Sequence, residues 1–597
     1  MVEQGQTLNT TEITDLRPFS QRLVALIPWP WELIPLVVGF VWLYRQTMPP
    51  GISSWIVTGW DSAMLQITGS TWGLPHSPGY PLYTIFSNLF VRLLGFIPGL
   101  MDTSVVWRVS FWSTTTSLLT LILAYFIVRK LTEDRVAALI AASILGVSFI
   151  FWRGAIMAEV YSLNALIFAL TYWLALVWRQ TPKQRWLIVL GLVIGAGVVH
   201  HRTAFILPPT MALWVLLTYV KPTWQNPFGE GRQAWLTAFR QVALLAGVAL
   251  IPLLSYLYLP WVSRTQAGQT WLYADASDWN TFWFVVLTRE WWGLVQIPDS
   301  GAAWVTALGT LLEQQFDQIR AVGVVFGLFG LLGMRRYLWM FAPPLLAFIF
   351  FGTSYQVADL DSMLIPLTLT LSIGVGYLLG NLSRILNDVL CYVIELYTET
   401  RDIPWLSNTI YTLFSIGLIA LTYSMFRPLA DRNYETVDLS GDWQAEDLVE
   451  EVVAISSAGT PIAIIGQDNS VLPDFIYAKV VLNQPVEALS TTGLSRLPEG
   501  ESRQVVQTQF EMNRRVFVDI ETLDLGFIPW LGQALENEEL YLAPTGHPIL
   551  WELLQRSDDG VLPAGEPLVT VPSEQFLEGR FIASVPHAGK RMLLFRT

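Results

Sequence analysis

Apolar runs of roughly 16 to 24 residues recur from Leu33 to Phe426, and nothing else in the chain limits its fold so tightly. A helical crossing of a bilayer needs about 20 consecutive apolar residues. A chain that repeats such runs hides most of its length from water. Only 14% of its 597 residues are charged and its mean hydropathy is +0.44, where a soluble domain carries about a quarter charged residues. Many of the 27 Trp and 20 Tyr stand beside the runs, as in the aromatic belts at membrane surfaces. The pattern predicts a polytopic α-helical membrane protein.

The runs divide into eleven expected spans, near 33–47, 108–128, 136–152, 160–178, 186–200, 203–219, 241–259, 319–334, 337–352, 362–380 and 408–426. Basic residues between spans mark cytoplasmic connections. Arg129, Lys130 and Arg135 fall in one, Arg179, Lys183 and Arg185 in the next, then Lys221, Arg232 and Arg240, then Arg335 and Arg336. Residues 1–30 then form a cytoplasmic segment with no cleavable signal peptide. Residues 31–428 form the membrane domain, with exterior loops 48–107 and 260–318. The segment 384–407 is amphipathic and is expected to lie on the cytoplasmic surface. Small residues at four-residue spacing, Gly191/Gly195 and Gly323/Gly327, suit close helix packing in lipid.

After Phe426 acidic residues become frequent, and short apolar stretches such as Ile462–Ile465 and Val516–Val518 alternate with polar ones. Residues 429–597 read as a C-terminal extramembrane α/β domain, which the span count places outside the cytoplasm. A single cysteine, Cys391, excludes an internal disulfide framework. The net charge of −13, with no basic stripe, gives nucleic acid nothing to bind.

Ionisable groups near membrane depth are costly and mark function. Here they gather in the loops of one face: Asp61, His76, Arg153, Glu159, His200, His201, Arg202, Asp359 and Asp361. A transporter or flippase for a lipid-linked precursor would instead carry charges mid-span on broken helices. The distribution fits a cavity opening at one membrane surface. Pro75, Pro78 and Pro81 exclude a regular helix in the first exterior segment around them, and Asp61 stands at its edge.

Several elements together resemble the domain-of-unknown-function 2723 family, which is similar to protein O-mannosyltransferases and has the GT-C glycosyltransferase fold. They are Gly59-Trp60-Asp61-Ser62, the run His76-Ser77-Pro78-Gly79-Tyr80-Pro81-Leu82-Tyr83, Ala158-Glu159-Val160-Tyr161-Ser162-Leu163-Asn164 and His200-His201-Arg202. The Tyr355 to Pro366 segment and the Ile465-Gly466-Gln467-Asp468-Asn469 turn extend the resemblance over about residues 30–490. The family commonly has Asp-Ser-Gly-Glu in the first loop, whereas Ser62-Ala63-Met64 follows Asp61 here. A second carboxylate at that place is missing.

The resemblance implies an inverting glycosyltransferase. It would move a monosaccharide, mannose by analogy, from a polyprenyl-phosphate donor to a protein hydroxyl or an envelope glycan. Asp61 and Glu159 are the candidate catalytic residues, Asp61 as general base. Arg202, His200, His201 and Arg153 would meet the donor phosphate. His76, Tyr80, Tyr83, Tyr161, Tyr355, Asp359 and Asp361 would contact sugar or acceptor. Asp359-Leu360-Asp361 has the spacing at which many nucleotide-sugar transferases hold a divalent metal, yet the family's near relatives work without one, so no cofactor is expected. Membrane lipids are the remaining partner, and a bacterial plasma membrane the expected location. A flippase and an inactive GT-C scaffold are the rival readings, the second kept open by the missing acid after Asp61.

Overall fold

The computed structural model describes residues 30–53, 60–221, 231–357, 359–398, 404–457, 459–468, 470–524, 526, 528–537, 539–555, 580–587 and 590–596. The expected cytoplasmic segment therefore lies, except for its last residue, outside the described residues.

Among these residues seven helices are long and apolar enough to cross a membrane: Val105–Thr132, Val160–Gln180, Arg202–Val220, Arg232–Thr265, Gly301–Gly333, Ile365–Val389 and Tyr411–Val437. The pair Arg135–Gly146 and Phe149–Ile156, bent by 70°, makes an eighth. Leu33–Thr47, Gln184–His200 and Leu338–Ser354 are apolar but only 15 to 17 residues long. At 1.5 Å per residue they fall short of a hydrocarbon core about 30 Å thick. All eleven expected spans coincide with helices, while seven, or eight with the bent pair, meet the length of a full crossing.

Four boundaries differ from the sequence reading. Residues 301–318, expected inside an exterior loop, form the first half of Gly301–Gly333, which is broken at Ile319 and Arg320. Glu313, Gln314, Gln315 and Asp317 interrupt its hydropathy, but two of its glutamines face inward. Gln315 accepts a hydrogen bond from Thr368, and Gln318 accepts one from the Ile150 N–H at 2.9 Å. The segment 384–398, expected to lie separately on the surface, continues the helix Ile365–Thr398. The helix Pro404–Val437 runs through Pro428 and across the expected domain boundary at 428. Arg153 stands in the last turn of the Phe149–Ile156 helix, not in a loop.

Glycines set the closest helix contacts. A Cβ on Gly195 would lie 2.2 Å from the Ala249 carbonyl oxygen, and one on Gly330 would lie 1.8 Å from that of Gly374. Backbones approach this closely only where side chains vanish. Gly191 and Gly327 share these two interfaces, whereas the nearest atoms to a Cβ on Gly323 belong to Ile319 of its own helix.

The bend after Gly146 exposes backbone groups inside the bundle, where each must find a partner. Tyr44 donates its hydroxyl to the Gly146 carbonyl at 2.8 Å. Asn433 donates to the Val147 carbonyl at 2.8 Å. With Gln318 on Ile150, the break is completed by side chains from three other helices.

Beyond Val437 the chain forms an α/β unit whose five strands are ordered β2-β1-β3-β5-β4. They are β1 (Ile462–Gly466), β2 (Val486–Ser490), β3 (Arg515–Asp519), β4 (Leu540–Pro544) and β5 (Leu550–Gln555). β1 pairs in parallel with β2 and β3, and β5 runs antiparallel to β3 and β4. Central β1 is buried along its whole length, as a strand covered on both faces must be. Alternate residues face opposite sides: Ile462 and Ile464 pack with Leu448, Val452 and Phe475, while Ala463 and Ile465 pack with Val506, Trp530 and Leu531. The expected stretches Ile462–Ile465 and Val516–Val518 are β1 and β3. A separate hairpin joins Arg580–His587 to Lys590–Arg596. Of the Ile465–Asn469 turn, Asn469 lies outside the described residues.

Candidate active site

Asp61 stands in the first turn of the helix Trp60–Thr71. The next residue, Ser62, is buried and fixes that turn, its Oγ accepting the Ala158 N–H at 3.1 Å. One residue on, the Glu159 N–H donates to Ser113 Oγ at 3.1 Å. The two acids are thereby held by neighbouring backbone bonds although 98 positions separate them. His76 Nδ1 lies 3.4 Å from Asp61 Oδ1.

The turn after His76 contains a cis Ser77–Pro78 bond and Gly79 at φ +85°. Pro81 then opens the next helix at a position where its missing N–H costs nothing. Tyr80 caps that helix in the left-handed region, at φ 35°, where an aromatic residue is strained. Its ring lies 5.2 Å from that of His76 and 5.8 Å from that of His200, both edge-on, and stacks on His201 at 6.4 Å. His201 meets Tyr161 at 5.4 Å, and the Tyr161 hydroxyl donates to Asp359.

Asp61, His76, Tyr80, Glu159, Tyr161, His201 and Asp359 line one cavity of about 1070 Å³. Its ionisable lining residues include Asp61, His76, Arg153, Glu159, His201, Arg202, Asp359 and Asp361. Its apolar lining includes Phe205, Leu287, Trp291, Trp292, Val295 and Phe351, and Tyr355 also lines it. Backbone bonds between Gln296 and Ser354 and between Gln356 and Leu294 tie the loop bearing Trp291 and Trp292 to the segment leading to Asp359.

Burial raises the carboxyl of Asp61, with nearby Asp359 adding to the rise and His76 opposing it. Glu159 is pushed well above the carboxylate range, first by burial, then by Asp61 and Asp359, against a pull from Arg153. Its Oε2 is buried without a protein partner. Asp361 is raised by burial, against the Ser362 N–H and Arg153. His201 is pushed down to about 3, first by burial and then by nearby His200 and Arg202. The Thr203 N–H donates to its Nδ1 at 3.3 Å, so the neutral ring carries its proton on Nε2. Arg202 has Nε and Nη2 buried without protein partners, and its guanidinium lies 5.4 Å from the Phe205 ring. N–H groups left this way are of the kind that can hydrogen-bond an anion.

Residues 61–226 are similar to the protein O-mannosyl-transferase TMEM260 N-terminal domain. That segment contains Asp61, His76, Glu159 and Arg202, but neither Asp359 nor Asp361. The chain is 22% identical over 399 residues to the protein O-mannosyl-transferase tmem260 of Dictyostelium discoideum, covering 60% of this chain and 46% of that one. It is 24% identical over 261 residues to the mouse (Mus musculus) TMEM260, covering 43% and 34%. The chain thus spans less than half the length of these relatives. The likeness to O-mannosyltransferases rests on these matches, which do not extend to the domain-of-unknown-function 2723 name.

Two solved structures match in outline. ArnT from Cupriavidus metallidurans bound to undecaprenyl phosphate has a TM-score of 0.49 at 12% identity, over 89% of this chain and 98% of that one. Archaeal oligosaccharyltransferase AglB from Archaeoglobus fulgidus, in complex with an inhibitory peptide and a dolichol-phosphate, has 0.45 at 12%, over 89% and 75%.

Of the residues singled out from sequence, two stand behind the cavity wall. Tyr83 is wholly buried, near Ser113 and Glu159. His200 is also wholly buried, with Nε2 donating to the Val160 carbonyl at 2.8 Å. The others line the cavity. The sequence reading passed over Ser77, Thr203, Phe205, Thr288 and Ser362, which also line it. Thr203 and Phe205 follow the His-His-Arg run directly, which was the one available signal. Among the described residues no group of three or more His, Cys, Asp or Glu has an arrangement able to hold a metal ion.

Proposed function

We propose that this protein is a GT-C-type inverting glycosyltransferase of a bacterial plasma membrane. It takes a sugar, mannose by analogy with the TMEM260 relatives, from a polyprenyl-phosphate carrier and passes it to a protein hydroxyl. The observation that carries the reading is the cavity itself. It sets a raised carboxyl, Asp61, and a guanidinium with unpartnered nitrogens, Arg202, in one chamber with apolar lining. Asp61, His76, Glu159, Arg202 and Phe205 lie within the O-mannosyl-transferase-like segment, while Trp291, Trp292, Phe351 and Asp359 lie beyond it.

In this reaction the acceptor oxygen attacks the anomeric carbon while Asp61 takes its proton. The carbon–oxygen bond to phosphate breaks, and its electron pair stays on the carrier phosphate. Arg202 meets that charge with two charge-assisted hydrogen bonds. A single displacement inverts the anomeric centre. A base works best with a pKa near the working pH, and burial moves Asp61 in that direction. Glu159, raised by burial and by Asp61 and Asp359, lines the same cavity and contacts the acceptor. Of the apolar lining residues, Phe205, Trp292 and Val295 are exposed by 50%, 62% and 56%, and the polyprenyl chain leaves the cavity along them. On the eleven-span count, which requires the three shorter helices Leu33–Thr47, Gln184–His200 and Leu338–Ser354 to cross a locally thinned bilayer, the cavity and the α/β unit face the exterior.

Purified protein given polyprenyl-phosphate-mannose or polyprenyl-phosphate-glucose, with envelope extract as acceptor source, should consume one of them and form product of inverted configuration. Asp61→Asn should abolish this consumption. Consumption untouched by Asp61→Asn removes Asp61 as base. No consumption of either donor refutes the assigned donor class.

A further inference from the structure

The α/β unit meets the membrane helices at the turn Gly51–Ser53 and at the helix that bears Asp61. Glu446, in the first turn of the helix Gln444–Ser457, lies across Gly51, where a Cβ would stand 1.6 Å from Glu446 Oε1. That oxygen accepts the Ile52 N–H at 3.0 Å. The turn is bonded onward to the helix. The Ser53 N–H donates to Gln66 Oε1 at 2.9 Å, and Gln66 Nε2 donates to the Gly51 carbonyl at 3.1 Å. Ser62 Oγ donates to Ser53 Oγ at 3.2 Å and accepts the Ala158 N–H at 3.1 Å. Ser53, Ser62 and Gln66 are wholly buried. An apolar cluster seals the contact, with Ile52, Ala63 and Ile67 against Ala445, Val449 and Tyr477.

A buried polar chain of this kind cannot slip without leaving a group unsatisfied. It runs from the α/β unit to the residue after Asp61 and on to the residue before Glu159. We propose that Glu446 is a positioning residue: through Ile52, Ser53 and Ser62 it holds Asp61 and Glu159 in register, which makes the α/β unit a working part of the active site. The proposal rests on the reading of Asp61 as base.

Hydrogen–deuterium exchange on the full-length protein in detergent tests it, comparing wild type, Glu446→Gln, Glu446→Ala and the surface control Glu499→Ala. Losing one charge-assisted hydrogen bond predicts about tenfold faster exchange in Glu446→Ala at residues 51–53, 60–71 and 158–160. β1 and β3 should keep their protection. Glu446→Gln, whose amide oxygen still accepts, should stay within about twofold of wild type on the same grounds. Donor turnover should show kcat down about tenfold in Glu446→Ala with KM held, restored in Glu446→Gln. Unchanged exchange at 51–53 and 60–71, a rise shared equally by β1 and β3, or an unmoved kcat overturns the proposal. A wild type that consumes no donor sinks the assigned reaction instead, and exchange alone then decides the positioning.

Discussion

Arg202→Met separates a receptor for phosphate from a structural arginine, because the two roles predict opposite signs. In the free protein Arg202 Nε and Nη2 are buried without partners, and each such N–H costs about 1–3 kcal/mol. Methionine removes both while keeping much of the apolar stem. It gives up the contact with the Phe205 ring, about 0.5–1 kcal/mol, and the electrostatic interaction with nearby Tyr256, about 1 kcal/mol. The balance is a gain of about 2 kcal/mol, or roughly 1–2 °C in melting temperature for so long a chain. Undecaprenyl phosphate should raise the melting temperature of wild type. Two lost charge-assisted hydrogen bonds, about 1.5–3 kcal/mol each, weaken its binding to the variant by about a hundredfold or more. Tryptophan fluorescence during heating, with and without this lipid, reads both effects. A variant that melts lower than wild type without lipid, or that still gains stability from it, refutes the reasoning.

Three further outcomes can be checked. Gly330→Ala puts a Cβ 1.8 Å from the Gly374 oxygen and forces the helices about 1.5 Å apart, since C···O contacts sit near 3.3 Å or beyond. It should lower the melting temperature, at a cost of about 1–3 kcal/mol, while Gly417→Ala, with open space at its Cβ, should not. Donor turnover should rise with pH through an inflection above 3.8, the ordinary Asp value, because burial raises Asp61; an inflection at or below that value contradicts the assignment. Asp474 is raised well above the carboxylate range by burial and by Glu446 and Asp442. The stability it contributes is full below its unfolded pKa near 3.8 and is lost as pH rises through the folded value. Melting temperatures from pH 5 to 8 should therefore fall less for Asp474→Asn than for wild type, and equal slopes count against it.

Much of the helical part was legible because lipid demands long apolar runs, and every expected span coincides with a helix. The half-helix 301–318 was not, since Gln315 and Gln318 read as loop residues until the structure shows them bonded to Thr368 and Ile150. Hydropathy cannot distinguish a polar residue facing water from one joined to another helix. The Gly191/Gly195 spacing is legible because both members lie on one helix. The tighter Gly330–Gly374 contact joins two helices, so no spacing in the sequence announces it. The candidate site divides in the same way. Motifs supplied Asp61, Glu159 and Arg202 one at a time, but the Tyr161–Asp359 bond spans 198 positions. Glu446 is one acid in an acidic helix, and only the Ile52 N–H sets it apart.

The bent helix pair also fixes an order of events during synthesis. The Gly146 carbonyl can bond at once to Tyr44, which is made 102 residues earlier. The Ile150 N–H waits 168 residues for Gln318, and the Val147 carbonyl waits 286 residues for Asn433. At about 5–20 residues per second, the bend spends of order 15–60 s in the membrane with a backbone group unpaired. Water or an insertion partner must hold that place until the last helix arrives, so a ribosome halted before Asn433 leaves behind a bundle unfinished at its centre.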